Sequence, residues 1–535
     1  MKKTNLNFLL ISFCAFLSIA LANNSMNIIP RPNKIEIKPG HFQVTKNTKI
    51  LYTDCKKTAK YLQEILLLES DNHLDIIQLN SDINKTNSID LILDDNRTIV
   101  DEGYEFISNP KVVKISASSE TGLFYGIQTL RQILKDSNQV PSVKIKDKPR
   151  FEWRAFMLDE ARHFQGEKFV KKMIDQMAYL KINVLHWHLT DDQGWRVEIK
   201  QYPKLTKIGS KREDTQIGGW KSEKLAGKAH SGYYTQKQIR EIVKYARERH
   251  ITIVPEIEMP GHASAAIAAY PEVGTTGDTI AVPVTFGKKE NIYNVADPEV
   301  NKFLKNILLE VMELFPSEVI HIGGDEVKYK AWKNSKMVKD LMKKEGLKTP
   351  ADVQIYFTNQ ISKFLAHNGR RMMGWNEIFG GNVHAWQDTK EAKTVLTLAQ
   401  NAIVHFWKGD TKLAEKAVKS GYEIVNSHHI NTYLDYGYKY TPLRKAYNFN
   451  PVFDGLDKKY SNNIIGLGCQ MWTEWTPNND RVEFQTFPRI AAYAEVGWTA
   501  PENKNYKQFL MALESIKKHW KENNINFAGK KHYNQ

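Results

Sequence analysis

The densest chemistry in this chain lies in one hexapeptide, His321-Ile-Gly-Gly-Asp-Glu326, which sets two adjacent carboxylates behind two glycines at the end of an apolar run. Neighbouring side chains on an extended backbone point apart, so Glu326 could reach a leaving-group oxygen while Asp325 faces another part of the same substrate. The same six residues are equally the opening of a helix, with acidic groups at the positive end of its dipole. Gly-Gly-Asp-Glu also begins the signature of cyclases that make cyclic dinucleotides, but Val327 stands where that signature has Phe. A second constellation, His186-x-His188 with Asp191 and Asp192, suggests a metal. Neither an HExxH motif nor paired cysteines accompany it, so no metal and no cofactor is expected.

Aromatic residues shift the balance towards sugar. Trp375, Trp407 and Trp472 each close a short apolar run. The C–H faces of a sugar ring stack on indole, while its hydroxyls bond to carboxylates and guanidinium groups. One tryptophan alone reads as core; three, together with Arg162, Asp435 and Glu474, favour a saccharide pocket.

These residues need a scaffold that brings them together. After Phe151 short apolar runs alternate with longer amphipathic segments, the pattern of repeated βα units. Eight strands are predicted: 155–158, 184–189, 251–257, 319–322, 371–375, 402–406, 423–425 and 464–471. Helices are predicted at 168–180, where Phe169, Met173, Met177 and Leu180 share a face, and at 238–249. A doubly wound sheet competes, but eight units over about 350 residues suit a closed (β/α)8 barrel better. Almost every strand ends in polar or aromatic residues, which a barrel gathers on one rim. Long loops are expected at 191–234 and 262–317.

Ahead of the barrel, short β-branched runs surround one helix, marked by Leu123, Ile127, Leu130 and Leu134 with Ser118 or Ser119 as its cap. The expected plan is a signal segment at 1–22, a small α+β domain at 23–149, the barrel at 150–502 and a helical tail at 503–535 packed on the barrel. The signal reading rests on Lys2-Lys3, the apolar run from Phe8 to Leu21, and Ala20-Leu-Ala22, a cleavable pattern too short for a membrane span. It implies export to the periplasm or beyond the cell.

With 41% hydrophobic and 25% charged residues in 535, the composition excludes a disordered chain. The formal charge of +15 falls to +13 once Lys2 and Lys3 leave with the signal. Its lysines are dispersed, with no basic tail and no nucleic-acid-binding signature, so no nucleic-acid partner is expected. Cys55 and Cys469 supply no disulfide framework, and free thiols are favoured over a bridge.

Six segments together carry a family resemblance: Leu158-Asp-Glu-Ala-Arg-His-Phe164, His186-Trp-His-Leu-Thr-Asp-Asp-Gln-Gly-Trp-Arg196, Pro255-Glu-Ile-Glu-Met-Pro-Gly-His262, His321-Ile-Gly-Gly-Asp-Glu326, Tyr433-Leu-Asp435 and Trp472-Thr-Glu474. The chain resembles the family 20 glycoside hydrolases, the β-N-acetylhexosaminidases. That resemblance implies exo-acting, retaining hydrolysis of terminal β-linked N-acetylhexosamine, assisted by the substrate's own acetamide through an oxazolinium ion. It makes Glu326 the acid and base, Asp325 the partner of the acetamido group and Tyr433 the donor to its carbonyl. Arg162 and Glu474 would grip the 3- and 4-hydroxyls and Asp435 the 6-hydroxyl. Trp472 would be the floor, Trp375 and Trp407 the acetamide walls, and Asp191 with His262 a polar pair beside the acid.

The implied partners are glycans ending in N-acetylhexosamine, to either a monomer or a homodimer. Release of a disaccharide, as by a lacto-N-biosidase, is the alternative within the family, and a non-catalytic glycan-binding protein the alternative outside it. The presence of Asp325, Glu326 and Tyr433 speaks against the latter. Three places depart from the family pattern: Glu258 for Asp, Gly468-Cys469 for Gln-Ala, and His428-His429 for Ser-Pro.

Overall fold

The computed structural model describes residues 26–70, 72–80, 86–94, 100–380 and 397–533, and the signal segment expected at 1–22 lies outside them. The chain forms two compact units: Met1–Arg150 with Trp498–Asn524, and Phe151–Gly497 with Ile525–Gln535.

The first unit is built on a mixed sheet of seven strands among the described residues: β1 Lys34–Gln43, β2 Lys49–Tyr52, β3 Asp75–Gln78, β4 Ser88–Leu93, β5 Tyr104–Asn109, β6 Val112–Ala117 and β7 Gln139–Asp147. Their order is β1-β7-β5-β6-β4-β2-β3. The helix Glu120–Leu134 starts where expected: the Ser119 side chain accepts a hydrogen bond from the Gly122 N–H, and Leu123, Ile127 and Leu130 are fully buried.

The tail differs from expectation. Its helix, Tyr506–Glu522, groups with this first unit, and only Ile525–Gln535 groups with the barrel. The physical reason is visible in its polar bonds, from Ser515 (3.0 Å) and Lys518 (2.6 Å) to Asp136, and from Lys135 to Glu522. Periodicity through Phe509, Leu513 and Ile516 announces a buried face, but not what covers it.

The second unit is a closed barrel of parallel strands in sequence order: β8 Trp153–Asp159, β9 Val184–His188, β10 Thr252–Glu256, β11 Val319–His321, β12 Arg371–Trp375, β13 Ile403–Phe406, β14 Glu423–Asn426 and β15 Ile464–Met471. Each coincides with one of the eight apolar runs. Helices Glu167–Tyr179 and Gln236–Arg247 match the predicted amphipathic segments, the latter opened by a capping box between Thr235 and Gln238.

One residue from each strand fills the closed end: Ala155, Val184, Val254, Val319, Met373, Ile403, Val425 and Ile465. Because side chains alternate in and out along a strand, the next inward layer lies two residues further on. There the apolar fill gives way to His186, Glu256, His321, Trp375 and His405. The following layer carries Asp159, His188, Glu258 and Gly323, and above it the strand ends open into the rim. The core thus turns polar stepwise towards the carboxyl ends of the strands, where barrel enzymes place their sites.

Candidate active site

The second inward layer is a closed network. Glu256 lies 2.8 Å from His186 and 2.9 Å from His321, and its Oε1 accepts the Trp375 indole N–H at 2.8 Å. His321 continues to His405 at 3.2 Å, and His405 to the Ser427 hydroxyl at 2.7 Å. Burial opposes the charge on Glu256, but His321, His188 and His186 outweigh it and hold the carboxyl well below its usual range. His321 is pushed down to about 4, chiefly by burial. This network fixes Trp375 from below.

One layer higher, His188 stands 3.2 Å from Asp159 and 3.3 Å from Glu258. Asp159 accepts the backbone N–H groups of Ala161, Arg162 and Thr473, tying the ends of β8 and β15 together. Arg162 contacts Asp191 at 2.6 Å and Asp159 at 3.3 Å, with its guanidinium 5.0 Å from the centroid of Trp472. Burial works against its charge, but Asp191, Asp159, Glu474 and Glu258 overcome it and keep Arg162 cationic. Asp191 also meets His262 at 3.1 Å, and Asp192 lies 3.3 Å from the same imidazole nitrogen. The four residues read as a metal pattern divide among neighbours: His186 faces Glu256, His188 faces Asp159, Glu258 and, at 3.5 Å, Asp191, while Asp191 and Asp192 face His262 closely enough for the three to hold an ion.

Tyr433 and Asp435 follow β14, and their backbone is anchored twice. The Leu434 N–H bonds to the Gln470 carbonyl at 2.7 Å, and the buried Arg489 donates to the carbonyls of Leu434 (2.5 Å) and Tyr436 (2.8 Å). Tyr433 stacks at 9° on Trp407, and both join Trp375, Trp472 and Met157 in one aromatic cluster. Trp407 donates its indole N–H to Glu377 at 2.9 Å. Burial, then the neighbouring Glu474, keeps the Asp435 carboxyl well above its ordinary range.

Asp325 and Glu326 close the pocket. Their approach requires both glycines: Gly323 and Gly324 have φ of +66° and +87°, and a Cβ on Gly323 would sit 1.8 Å from a Glu258 oxygen. Gln354 holds the turn by donating to the Gly324 carbonyl at 2.7 Å. Glu326 itself has φ +50° and His262 φ +48°, a left-handed conformation uncommon outside glycine. Hence the carboxylates lie on a tight turn rather than on extended backbone. His262 faces both, 3.8 Å from Asp325 and 3.9 Å from Glu326. Asp325 is pushed up to about 7, first by burial and then by Glu326 and Glu256, with His262 opposing. The buried oxygens Asp325 Oδ1 and Asp435 Oδ1 have no hydrogen-bond partner among the described residues. Glu256 Oε2 and Glu258 Oε2 share this property.

Comparison with known proteins identifies the family of this fold. The model of "Glycosyl hydrolase family 20, catalytic domain" matches residues 151–501 and that of its "domain 2" matches 25–148. The chain belongs to glycosyl hydrolase family 20. This family 20 protein is 35% identical to the beta-hexosaminidase of Porphyromonas gingivalis over 92% of its own length, although it spans 63% of that relative. It is 34% identical to the beta-hexosaminidase of Vibrio furnissii, covering 88% of this chain and 76% of the relative. The solved β-N-acetylhexosaminidase of Bacteroides fragilis superposes with a TM-score of 0.78 at 31% identity, covering 94% of this chain and 96% of that one. The Vibrio harveyi exo β-N-acetylglucosaminidase, solved with N-acetylglucosamine, gives 0.81 at 30% identity, with 94% and 78% covered.

The structure brings the residues named from the sequence to the carboxyl end of the barrel, where Arg162, Asp191 and His262 form one chain of contacts reaching Asp325 and Glu326, and Trp375, Trp407, Tyr433 and Trp472 form one cluster. Asp159, His188, Glu256, Glu377 and Lys288 were missed as site residues. Asp159, His188 and Glu256 stand within the segments that carry the resemblance but were given no role there, whereas Glu377 and Lys288 lie outside them. Of the departures from the family pattern, His429 packs against both Trp407 and Tyr433, with ring centroids 5.9 Å apart in each case. Cys469 is buried in the barrel wall and bonds to the Ala155 carbonyl. Cys55 is likewise a buried free thiol.

Proposed function

We propose that this protein is an exo-acting β-N-acetylhexosaminidase that retains configuration by using the substrate's own acetamide as nucleophile. The observation that carries the reading is the Asp325–Glu326 pair: two adjacent carboxyls, one with an unpartnered oxygen inside an indole-lined pocket, the other facing outward beside His262. A 2-acetamido group seated against Trp375 and Trp407 offers its N–H to Asp325 and its carbonyl oxygen to Tyr433. Ionised Asp325 then balances the positive charge that develops as the carbonyl oxygen attacks the anomeric carbon. Glu326 gives its proton to the departing oxygen and afterwards takes one from the water that opens the oxazolinium ion.

Arg162, Glu474 and Asp435 fix the sugar hydroxyls over Trp472, while Asp191 orients His262 towards the acid. The N-terminal sequence supports export through a signal segment, to the periplasm or beyond the cell. No helix among the described residues is long and apolar enough to cross a membrane. The test is turnover of an aryl N-acetyl-β-glucosaminide with mass identification of the sugar released. The expected result is a monosaccharide, and a rate undiminished in Glu326→Gln would contradict the assignment.

A further inference from the structure

The acid is not left open to solvent on its outer side. Lys288, from the long segment between β10 and helix Pro298–Leu314, places its Nζ 2.8 Å from Glu326 Oε1. Lys408, two residues past β13, lies with its ammonium 5.4 Å from the centroid of the Trp407 ring. Its backbone is clamped by Asn376, whose side chain donates to the Lys408 carbonyl at 3.0 Å. Lys408 also feels the charges of Glu326, Lys288 and Glu377, so both cations lie within electrostatic reach of the acid.

Among the described residues, the groups facing Glu326 include Lys288, Lys408, His262, Asp325, Glu377 and Tyr436. Since Glu326 must protonate the bridging oxygen, whatever bonds to its outer oxygen stands where the leaving sugar enters. A lysine there also opposes the acid's function, because an ammonium at hydrogen-bond distance favours the ionised carboxyl.

We propose that Lys288 and Lys408 form an aglycone subsite selecting a leaving sugar that bears a carboxylate or sulfate ester, and that this anion draws Lys288 off Glu326. The inference rests on the hydrolase reading above and adds the class of substrate. Two ammonium groups on separate loops match one anion, and the displaced pairing leaves Glu326 free to carry its proton when an anionic substrate is bound.

The experiment compares three disaccharides with terminal β-linked N-acetylglucosamine, on glucose, glucuronic acid and glucose 6-sulfate. For the wild type, kcat/KM for one or both anionic substrates is expected to exceed that for the neutral one by about tenfold at low salt, with the gain lost near 0.5 M salt. The two anionic arms show whether carboxylate or sulfate is preferred. Lys288→Gln and Lys408→Gln should each collapse the ratio. With the neutral substrate, Lys288→Gln should also move the alkaline limb of the kcat/KM profile to higher pH, since the acid loses a neighbouring cation.

Equal kcat/KM for all three substrates in the wild type would overturn the subsite while leaving the hydrolase reading intact. Proportionate loss on all three in both variants would overturn it too, as would an unmoved alkaline limb. Failure of the wild type to cleave any of the three would remove the hydrolase reading and the subsite with it.

Discussion

Two stacked regions of this barrel are built from the same residue types and behave as opposites. In the lower one, Glu256, His186, His321 and His405 are fully buried and held against one another by close contacts across four strands, although Glu256 Oε2 and His186 Nε2 make no aligned hydrogen bond. In the upper one, Asp325 and Asp435 keep buried oxygens without partners, and Glu326 and His262 sit in left-handed backbone. A carboxylate in the lower region is spent on structure; in the upper region it is held ready for a ligand. What separates them is two residues of strand, one step in the inward alternation, plus the glycine turn at 323–324.

That contrast can be broken most sharply from above. Glu326→Gln removes the only proton the reading assigns to the leaving group, so kcat/KM for a poorly activated glycoside should fall by about 10^3-fold with little change in melting temperature. Asp325→Asn should cost about 10^2-fold or more while sugar is still bound, a combination read by kinetics beside calorimetry. An equal loss of stability in either variant would place these residues with the lower region.

From below the expected effect is the reverse. Glu256→Ala strips His186, His321 and the Trp375 indole of their common acceptor, and should destabilise the fold by roughly 3 kcal/mol. Denaturant unfolding would show it, and a variant as stable as the wild type would mean that the network is slack. Tyr433→Phe is milder: its ring still stacks on Trp407, so stability should hold while the rate falls by about 10- to 100-fold.

The smallest effect sharpens the comparison through pH. In the unfolded chain Asp325 ionises in the usual carboxylate range near 4, whereas in the fold burial lifts it to about 7. The folded state therefore favours the protonated form. That contribution is complete below about pH 4 and is lost as pH rises through about 7. Asp325→Asn, which cannot ionise, should match the wild type at pH 4 and gain roughly 2 °C in melting temperature above pH 7. No gain at high pH would mean that the free enzyme already pays nothing for this carboxylate.

Much of this was legible in the chain itself, for a physical reason. The eight strands show as short apolar runs because both faces of a barrel strand are covered, and the site residues show because each stands at the end of one run. Asp325, Glu326 and the two glycines are contiguous, so their meaning is local. Neither an extended segment nor a helix opening, the two readings the letters allow, describes the pair, since nothing in the sequence signals the left-handed backbone of Glu326. The roles of Asp159 and Glu256, although both lie in the quoted segments, were not legible because their partners, Thr473 and His321 among them, come from distant strands and meet only when the barrel closes. Lys288 and Lys408 were lost among dispersed lysines. For the tail helix, Phe509, Leu513 and Ile516 announce burial, while Asp136 and Lys135, which receive it, lie far away in sequence.

The most direct test of the central claim uses two aryl β-glycosides that differ only at carbon 2, one with an acetamido group and one with a hydroxyl. If the acetamide is the nucleophile and Asp325 its counter-charge, the wild type should cleave the first and turn over the second at least about 10^3-fold more slowly. Comparable rates on both would contradict substrate assistance and return the pocket to an ordinary two-carboxylate mechanism.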